Sequence, residues 1–205
     1  MSKSVFNPED QIGDVASKIV AGLERIAEVF KVLLWDKAKA NGLSPLQIQL
    51  LIFIAYHKTA LCNVSHLAKE FNVTKPTVSD AIKALMKKEL IAKDFSSADS
   101  RSYSVLLTEK GKEIVGITAN FANPIKEQVL LLPSEEQEAL FKTLSQLIYK
   151  LNRNGILTVQ RTCYGCKFYE KDNVDYCRLL EKELYAKDIR LDCPEFEVNQ
   201  TNLLS

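Results

Sequence analysis

The sequence predicts a mainly helical fold interrupted by one small β-hairpin, with a short metal-stapled appendage at its C-terminal end. Three observations carry this prediction. Apolar residues recur at three- and four-residue steps through most of residues 8–153, and the pattern switches to short β-capable stretches between Leu90 and Leu107. Four cysteines then gather between positions 163 and 193.

The chain has 205 residues, 46% of them hydrophobic, enough to furnish a core and to exclude disorder for most of its length. Its 27 basic and 26 acidic residues leave a net charge of +1, which at face value argues against a nucleic-acid partner. Counted by segment, the charge is +1 over 1–60, +3 over 61–112, −1 over 113–160 and −2 over 161–205, so an acidic tail masks a basic segment. Five cysteines are few for a secreted disulfide scaffold, and the N-terminus from Met1 to Asp10 has no apolar signal region. The most apolar uncharged run, Leu46 to Tyr56, stops at eleven residues, short of a membrane span. These features predict a cytoplasmic, soluble, reduced protein that is not a membrane partner. There is no nucleophile–base pair, phosphate-cradling glycine loop or HExxH, and only seven glycines in all, so no enzyme is expected.

The first helix is expected from about Pro8 to Lys39, with Ile12, Val15, Ile19, Leu23, Ile26, Phe30 and Leu34 on its apolar stripe. It is too long to serve one small core. Asn41-Gly42 ends it, and Ser44-Pro45-Leu46-Gln47 opens a second helix with a capping box and proline at the first helical position, running to about Tyr56 or His57. A third helix fits Val64 to Phe71, and Asn72 tolerates the left-handed turn that follows. Thr74 caps a fourth helix from Lys75 to about Lys88, buried through Val78, Ile82, Leu85 and Met86. Two short helices so joined form a helix-turn-helix, and the hairpin of Leu90–Phe95 and Tyr103–Leu107 directly after it is a wing. Thr108 caps a helix to roughly Leu132, and Ser134-Glu135-Glu136-Gln137 reads as a second capping box opening the last long helix, with Leu140, Leu144, Leu147, Ile148 and Leu151 inside. The expected domains are an N-terminal dimerisation helix (8–43), a winged helix-turn-helix (44–112), C-terminal dimerisation helices (113–156) and a four-cysteine extension (157–205).

With the buried face of the fourth helix assigned, Lys75, Thr77, Ser79, Asp80 and Lys83 remain on the outward side of its first turns, the part of a helix-turn-helix that enters the major groove. Hydroxyls and ammonium groups there can meet base edges or phosphates, while Thr74 and Pro76 set a capped helix start whose free amides favour phosphate. At the hairpin tip Arg101 can enter a narrow minor groove, oriented by Asp99. A solvated polar helix face is the plainer alternative.

The ordered set Leu43-Ser44-Pro45-Leu46-Gln47, Leu67-Ala68-Lys69, Thr74-Lys75-Pro76-Thr77-Val78-Ser79, Leu85-Met86-Lys87-Lys88-Glu89-Leu90-Ile91 and Leu107-Thr108-Glu109-Lys110-Gly111 resembles the MarR family of bacterial transcription regulators over about residues 10–153. The resemblance implies a homodimer whose first and last helices form a shared dimerisation region and whose paired lobes bind a pseudo-palindromic double-stranded DNA operator. It also implies a small-molecule effector or oxidation event that shifts lobe spacing. Two positions depart from the family pattern. The wing has Asp99-Ser100-Arg101 where Asp-Arg-Arg is common, which removes a positive charge. Glu89 stands where glycine usually caps the recognition helix, so either Glu89 is left-handed or the helix ends differently.

Cys163, Cys166, Cys177 and Cys193 give C-x2-C-x10-C-x15-C, metal spacing in a reduced compartment. Zinc is the simplest occupant. An iron–sulfur cluster, echoed by Cys193-Pro194, and a metal-free thiol/disulfide switch stay open. Tyr164, Phe168, Tyr169, Tyr176, Leu179, Leu180, Leu191 and Phe196 are the expected shell, Gly165 relaxes the knuckle, and Arg161, Lys167 and Arg178 are candidates to offset thiolate charge. Cys62 reads as a buried apolar residue, Trp35 as a dimer anchor, and His57 and His66 as unclustered. The competing function is a zinc or iron–sulfur redox or interaction protein that uses the winged helix for protein contacts.

Overall fold

The computed structural model describes residues 3–95 and 103–199. Seven helices and five short strands lie within them, in the order α1 (Val15–Ala40), α2 (Pro45–Tyr56), α3 (Val64–Glu70), α4 (Lys75–Lys87), β1 (Ile91–Asp94), β2 (Ser104–Leu107), α5 (Glu109–Thr118), α6 (Asn123–Leu130), α7 (Ser134–Arg153), β3 (Tyr169–Lys171), β4 (Asp175–Cys177) and β5 (Lys182–Glu183). The mainly helical class with a β-hairpin is as expected. No described helix is long and apolar enough to cross a membrane.

Three boundaries differ from the sequence reading. Helix α1 starts at Val15 instead of Pro8, because Gly13 turns the chain at φ +77° and the Asp14 carboxylate accepts from the Ala16 and Ser17 amides as N-cap. The single helix expected from Thr108 to Leu132 is two, broken over 119–122. Pro124 has no N–H and its ring opposes a helical carbonyl four residues back, so it is accommodated only in the first turn of α6. The second capping box does not form: Gln137 Nε2 reaches back to the Leu132 carbonyl at 2.8 Å, and α7 starts without a side-chain cap. The first box does form, with Ser44 Oγ accepting from the Gln47 amide at 3.2 Å and Gln47 Oε1 from the Ser44 amide at 3.0 Å.

The core lies in the lobe formed by α2–α5 and the hairpin. Helix α2 is apolar on nearly every side and is buried at Ile48, Leu50, Leu51, Phe53 and Ile54, as a helix must be when it has no polar face to show water. Leu67 from α3, Val78, Ile82 and Leu85 from α4, and Val105 from β2 close around it. Cys62 is buried here as well, and desolvation pushes its thiol up to about 11. Its carbonyl accepts from the Val105 amide at 2.9 Å, tying the hairpin to the segment before α3. Antiparallel β1 and β2 pair Ile91 with Leu107 and Asp94 with Ser104.

Helix α1 is buried against this lobe at Leu34 and Ala38, near its C-terminal end. Upstream, Ile19, Leu23, Ile26 and Phe30 stay exposed along one apolar face, and Trp35, on another side of the helix, and Leu130 and Leu131 at the end of α6 are exposed as well. On α7 only Ser145 is buried, and Leu140 is exposed, so the expected inner face of this helix is only partly covered within one chain.

At the end of α4, Glu89 takes the left-handed conformation, φ +62°, and the helix closes in a Schellman arrangement with Leu90 N–H donating to Leu85 O at 3.0 Å and Glu89 N–H to Met86 O at 2.9 Å. The Glu89 side chain is exposed and faces Lys110 at 3.7 Å, a pair worth little in water. Glu89→Gly is therefore expected to raise stability by about 1 kcal/mol, read as a higher urea midpoint, through relief of the left-handed strain. A lower midpoint would show that the glutamate holds the turn by another means.

Candidate nucleic-acid interface and four-cysteine centre

The turn between α3 and α4 aims the start of α4 outward. Asn72 adopts φ +51°, and Thr74 Oγ1 accepts from the Thr77 amide at 3.3 Å while sharing a 2.8 Å hydrogen bond with Thr77 Oγ1. Thr74, Lys75, Pro76, Thr77, Asp80 and Lys83 are all exposed, and Ser79 is half-buried. The structure therefore gathers the helical members of the sequence-derived set on one polar face. Asp80 and Lys83 pair with each other at 3.0 Å, and with both side chains about three-quarters exposed that bond yields readily to another partner. Asp99 and Arg101 lie outside the described residues. Toward the loop end of the hairpin, Lys93 Nζ sits 4.1 Å above the Tyr103 ring.

The C-terminal segment folds around β3, β4 and β5, an antiparallel meander that pairs Tyr169 with Cys177 and Cys177 with Lys182. Cys163-Tyr164-Gly165 makes a single 3₁₀ turn closed by the Cys166 amide on the Cys163 carbonyl at 2.9 Å. Gly165 does not use a left-handed backbone, as a relaxed turn would suggest. A Cβ there would lie 2.2 Å from Gln160 Nε2, so the glycine makes room for that carboxamide, whose Oε1 accepts from the Thr162 amide at 2.8 Å.

All four cysteines line one cavity of about 30 Å³, walled by Phe168, Tyr169, Leu179, Leu180, Leu184, Arg190 and Glu195. None of the four is in a disulfide. Among the described residues no group of three or more His, Cys, Asp or Glu side chains is pre-arranged to hold a metal ion as it stands. Burial pushes the Cys163 thiol up, the Arg190 amide bonded to its sulfur pulls it back, and the three other thiols raise it further. Arg161, Lys167 and Arg178 do not serve as the expected counter-charges, because each is drawn to carboxylates: Arg161 to Glu70 and Asp192, Lys167 to Glu197, Arg178 to Glu170. The group that faces sulfur is Arg190, through its backbone N–H to Cys163 Sγ at 3.3 Å and its guanidinium to Cys193 Sγ at 4.0 Å. The buried apolar residues of this segment, Leu184 and Ile189, were not among those the sequence singled out.

The sequence also gave no sign of how this segment meets the lobe. His57, at the end of α2, stacks on Phe53 with ring centroids 3.7 Å apart, and its Nε2 bonds Asp192 Oδ2 at 2.6 Å. Lys58 Nζ donates to both Glu195 oxygens at 3.0 and 3.1 Å. Arg161 makes a bidentate pair with Glu70 at 2.9 and 3.1 Å and bonds Asp192 as well. These carboxylates hold the guanidinium above its ordinary pKa. Burial pushes the Asp192 carboxyl up, but the bonds from Arg161 and His57 outweigh it and leave the group below its usual value. His66, whose Nε2 lies 3.5 Å from Glu70 Oε2, is lowered chiefly by burial. Between the lobe, the end of α7 and the C-terminal segment runs a groove of about 1310 Å³, lined in part by Tyr56, Lys69, Tyr149, Arg153 and Phe196.

Residues 41–102 match the model of the MarR family. No curated protein sequence matches the chain. Among solved structures, MepR of S. aureus in a complex with DNA is 25% identical, with 63% of this chain and 94% of MepR covered and a TM-score of 0.54. MepR in a DNA-binding conformation is 22% identical, covering 65% of this chain and 98% of its own at a TM-score of 0.57. A MarR transcriptional regulator from Methanosarcina mazei Go1 is 19% identical, with coverage of 66% and 96% and a TM-score of 0.56. Each leaves about a third of the chain unmatched. The chain is thus similar to the MarR family over residues 41–102 and continues into a cysteine-bearing segment that the family match does not reach.

Proposed function

We propose that the chain is a MarR-type transcription regulator that binds a pseudo-palindromic double-stranded DNA operator as a homodimer and is not an enzyme. The observation that carries this reading is the exposed polar face of α4, from Thr74 to Lys83, presented at the N-terminal turns of the second helix of a helix-turn-helix. The +3 charge of residues 61–112, doubled in a dimer, supports phosphate contact. The long apolar face of α1, exposed at Ile19, Leu23 and Ile26, supports a second copy of the chain as its cover. A mass in solution twice the 23.1 kDa of one chain is expected. The groove between lobe and C-terminal segment is where this reading lodges a small-molecule effector, and the four-cysteine segment is a structural or sensing module.

Titration of promoter-region duplex across a salt series tests the reading. A steep fall in affinity with salt, together with a preference over scrambled duplex, is expected. Equal, weak binding to every duplex would overturn it in favour of an interaction module that uses the winged helix for protein contacts. Arg101→Ala is expected to weaken operator binding about tenfold with the dimer intact. Unchanged affinity would remove the hairpin from the mechanism.

A further inference from the structure

The loop that holds the C-terminal segment to the lobe also carries a cysteine. Cys193 stands between Asp192, bonded to His57 and Arg161, and Pro194-Glu195, bonded through Glu195 to Lys58. On its other side Cys193 shares one small cavity with Cys163, Cys166 and Cys177. Two N–H groups of Arg190 face the sulfurs of Cys163 and Cys193, and N–H donors to sulfur are what a thiolate ligand set needs around it. Apolar Phe168, Leu179 and Leu184 line the same cavity. The cavity, about 30 Å³, is lined by all four cysteine side chains, and four thiolates around one centre suit a tetrahedral zinc ion.

We propose that Cys163, Cys166, Cys177 and Cys193 bind one zinc ion as four thiolates, and that the ion fixes the Asp192–Glu195 loop as a clasp on the helix-turn-helix lobe. On binding, the four thiols release four protons and leave a centre of net charge −2, with Arg190 as its nearest cation. The four sulfurs line one cavity without being placed to hold an ion as they stand, so binding requires their side chains to turn toward it. Without the ion, a segment that buries few apolar side chains of its own loses the geometry of the Cys193 loop. Asp192 and Glu195 then lose their fixed positions opposite His57, Arg161 and Lys58, and the lobe loses its brace at the end of α2 and at Glu70 of α3. The metal site stands apart from the regulator reading, and none of its tests uses DNA.

Metal analysis of the full-length protein, purified in reductant, is expected to find one zinc per chain, lost in Cys163→Ser and in Cys177→Ser. Absence of metal, or iron in place of zinc, would overturn the site. Hydrogen exchange of the zinc-loaded and chelator-treated protein reads the clasp. Amides around residues 57–62 and 69–71 are expected to exchange about tenfold faster once zinc is removed. Unchanged exchange there would overturn the clasp while leaving the site. Because a cysteine variant can simply misfold, Asp192→Ala combined with Glu195→Ala provides the second arm. It is expected to keep one zinc per chain and still show the faster lobe exchange; slow exchange in this variant would overturn the clasp.

Discussion

Gly111→Ala is expected to destabilise the protein by about 3 kcal/mol, even though the same change inside a helix ordinarily stabilises by about 1 kcal/mol. Gly111 lies in the first turn of α5, and a Cβ there would come within 2.0 Å of the Leu90 carbonyl oxygen and 3.3 Å of Leu107 Cδ2. The Leu90 oxygen cannot step aside: it belongs to the backbone entering β1 and already accepts the Thr108 amide at 3.1 Å. Thr108 in turn caps α5 by accepting the Gly111 amide at 3.1 Å and donates its hydroxyl to the Glu89 carbonyl at 2.6 Å. Relief of the clash therefore moves α5 away from the hairpin and breaks this junction. Because propensity and sterics call for opposite signs, a thermal or urea melt decides between them, and a gain in stability would show that the contact is loose.

The second large effect is expected at Arg161. Its side chain is 11% exposed and Glu70 is 19% exposed, so Arg161→Met leaves a shielded carboxylate without its bidentate partner. Asp192, 44% exposed, contributes less because water screens it. The expected cost is about 2 kcal/mol, together with earlier release of the C-terminal segment in limited proteolysis. Adding Glu70→Met should recover most of the loss, since a buried ion pair replaced by apolar groups is often close to neutral. A single variant as stable as the parent would mean that the pair is fully screened; a double variant as weak as the single would point to packing of Arg161 near Phe53, whose ring centroid is 5.7 Å away.

The sequence was most legible where an element is determined by its neighbours in the chain. Ser44 with Gln47, Thr74 with Thr77, and the left-handed turn at Asn72 are local matters of three or four residues, and the structure forms all three as read. The polar face of α4 followed by subtraction once its apolar stripe was assigned. Local patterns misled where two local signals competed: Ser134 looked like a cap, but Gln137 finds the Leu132 carbonyl instead, and Pro124 broke what periodicity alone treated as one helix. Least legible were partnerships across the chain. Nothing near His57 announces an aspartate 135 residues away, and Lys58 with Glu195 is more distant still. The cysteine spacing pointed to a shared centre, whereas Arg190 as the residue facing its sulfurs depends on a loop path that spacing does not encode.

The contacts between the C-terminal segment and the lobe differ in their shelter from water. Lys58 and Glu195 are each more than half exposed, whereas Arg161 and Glu70 lie largely under cover. Mobile ions screen exposed charges over a Debye length of about 8 Å at physiological ionic strength and act far less on sheltered ones. Rising salt therefore unfastens one side of this junction first and leaves the other engaged. Lys58–Glu195 is thus the salt-sensitive latch of this junction and Arg161–Glu70 its salt-resistant hold.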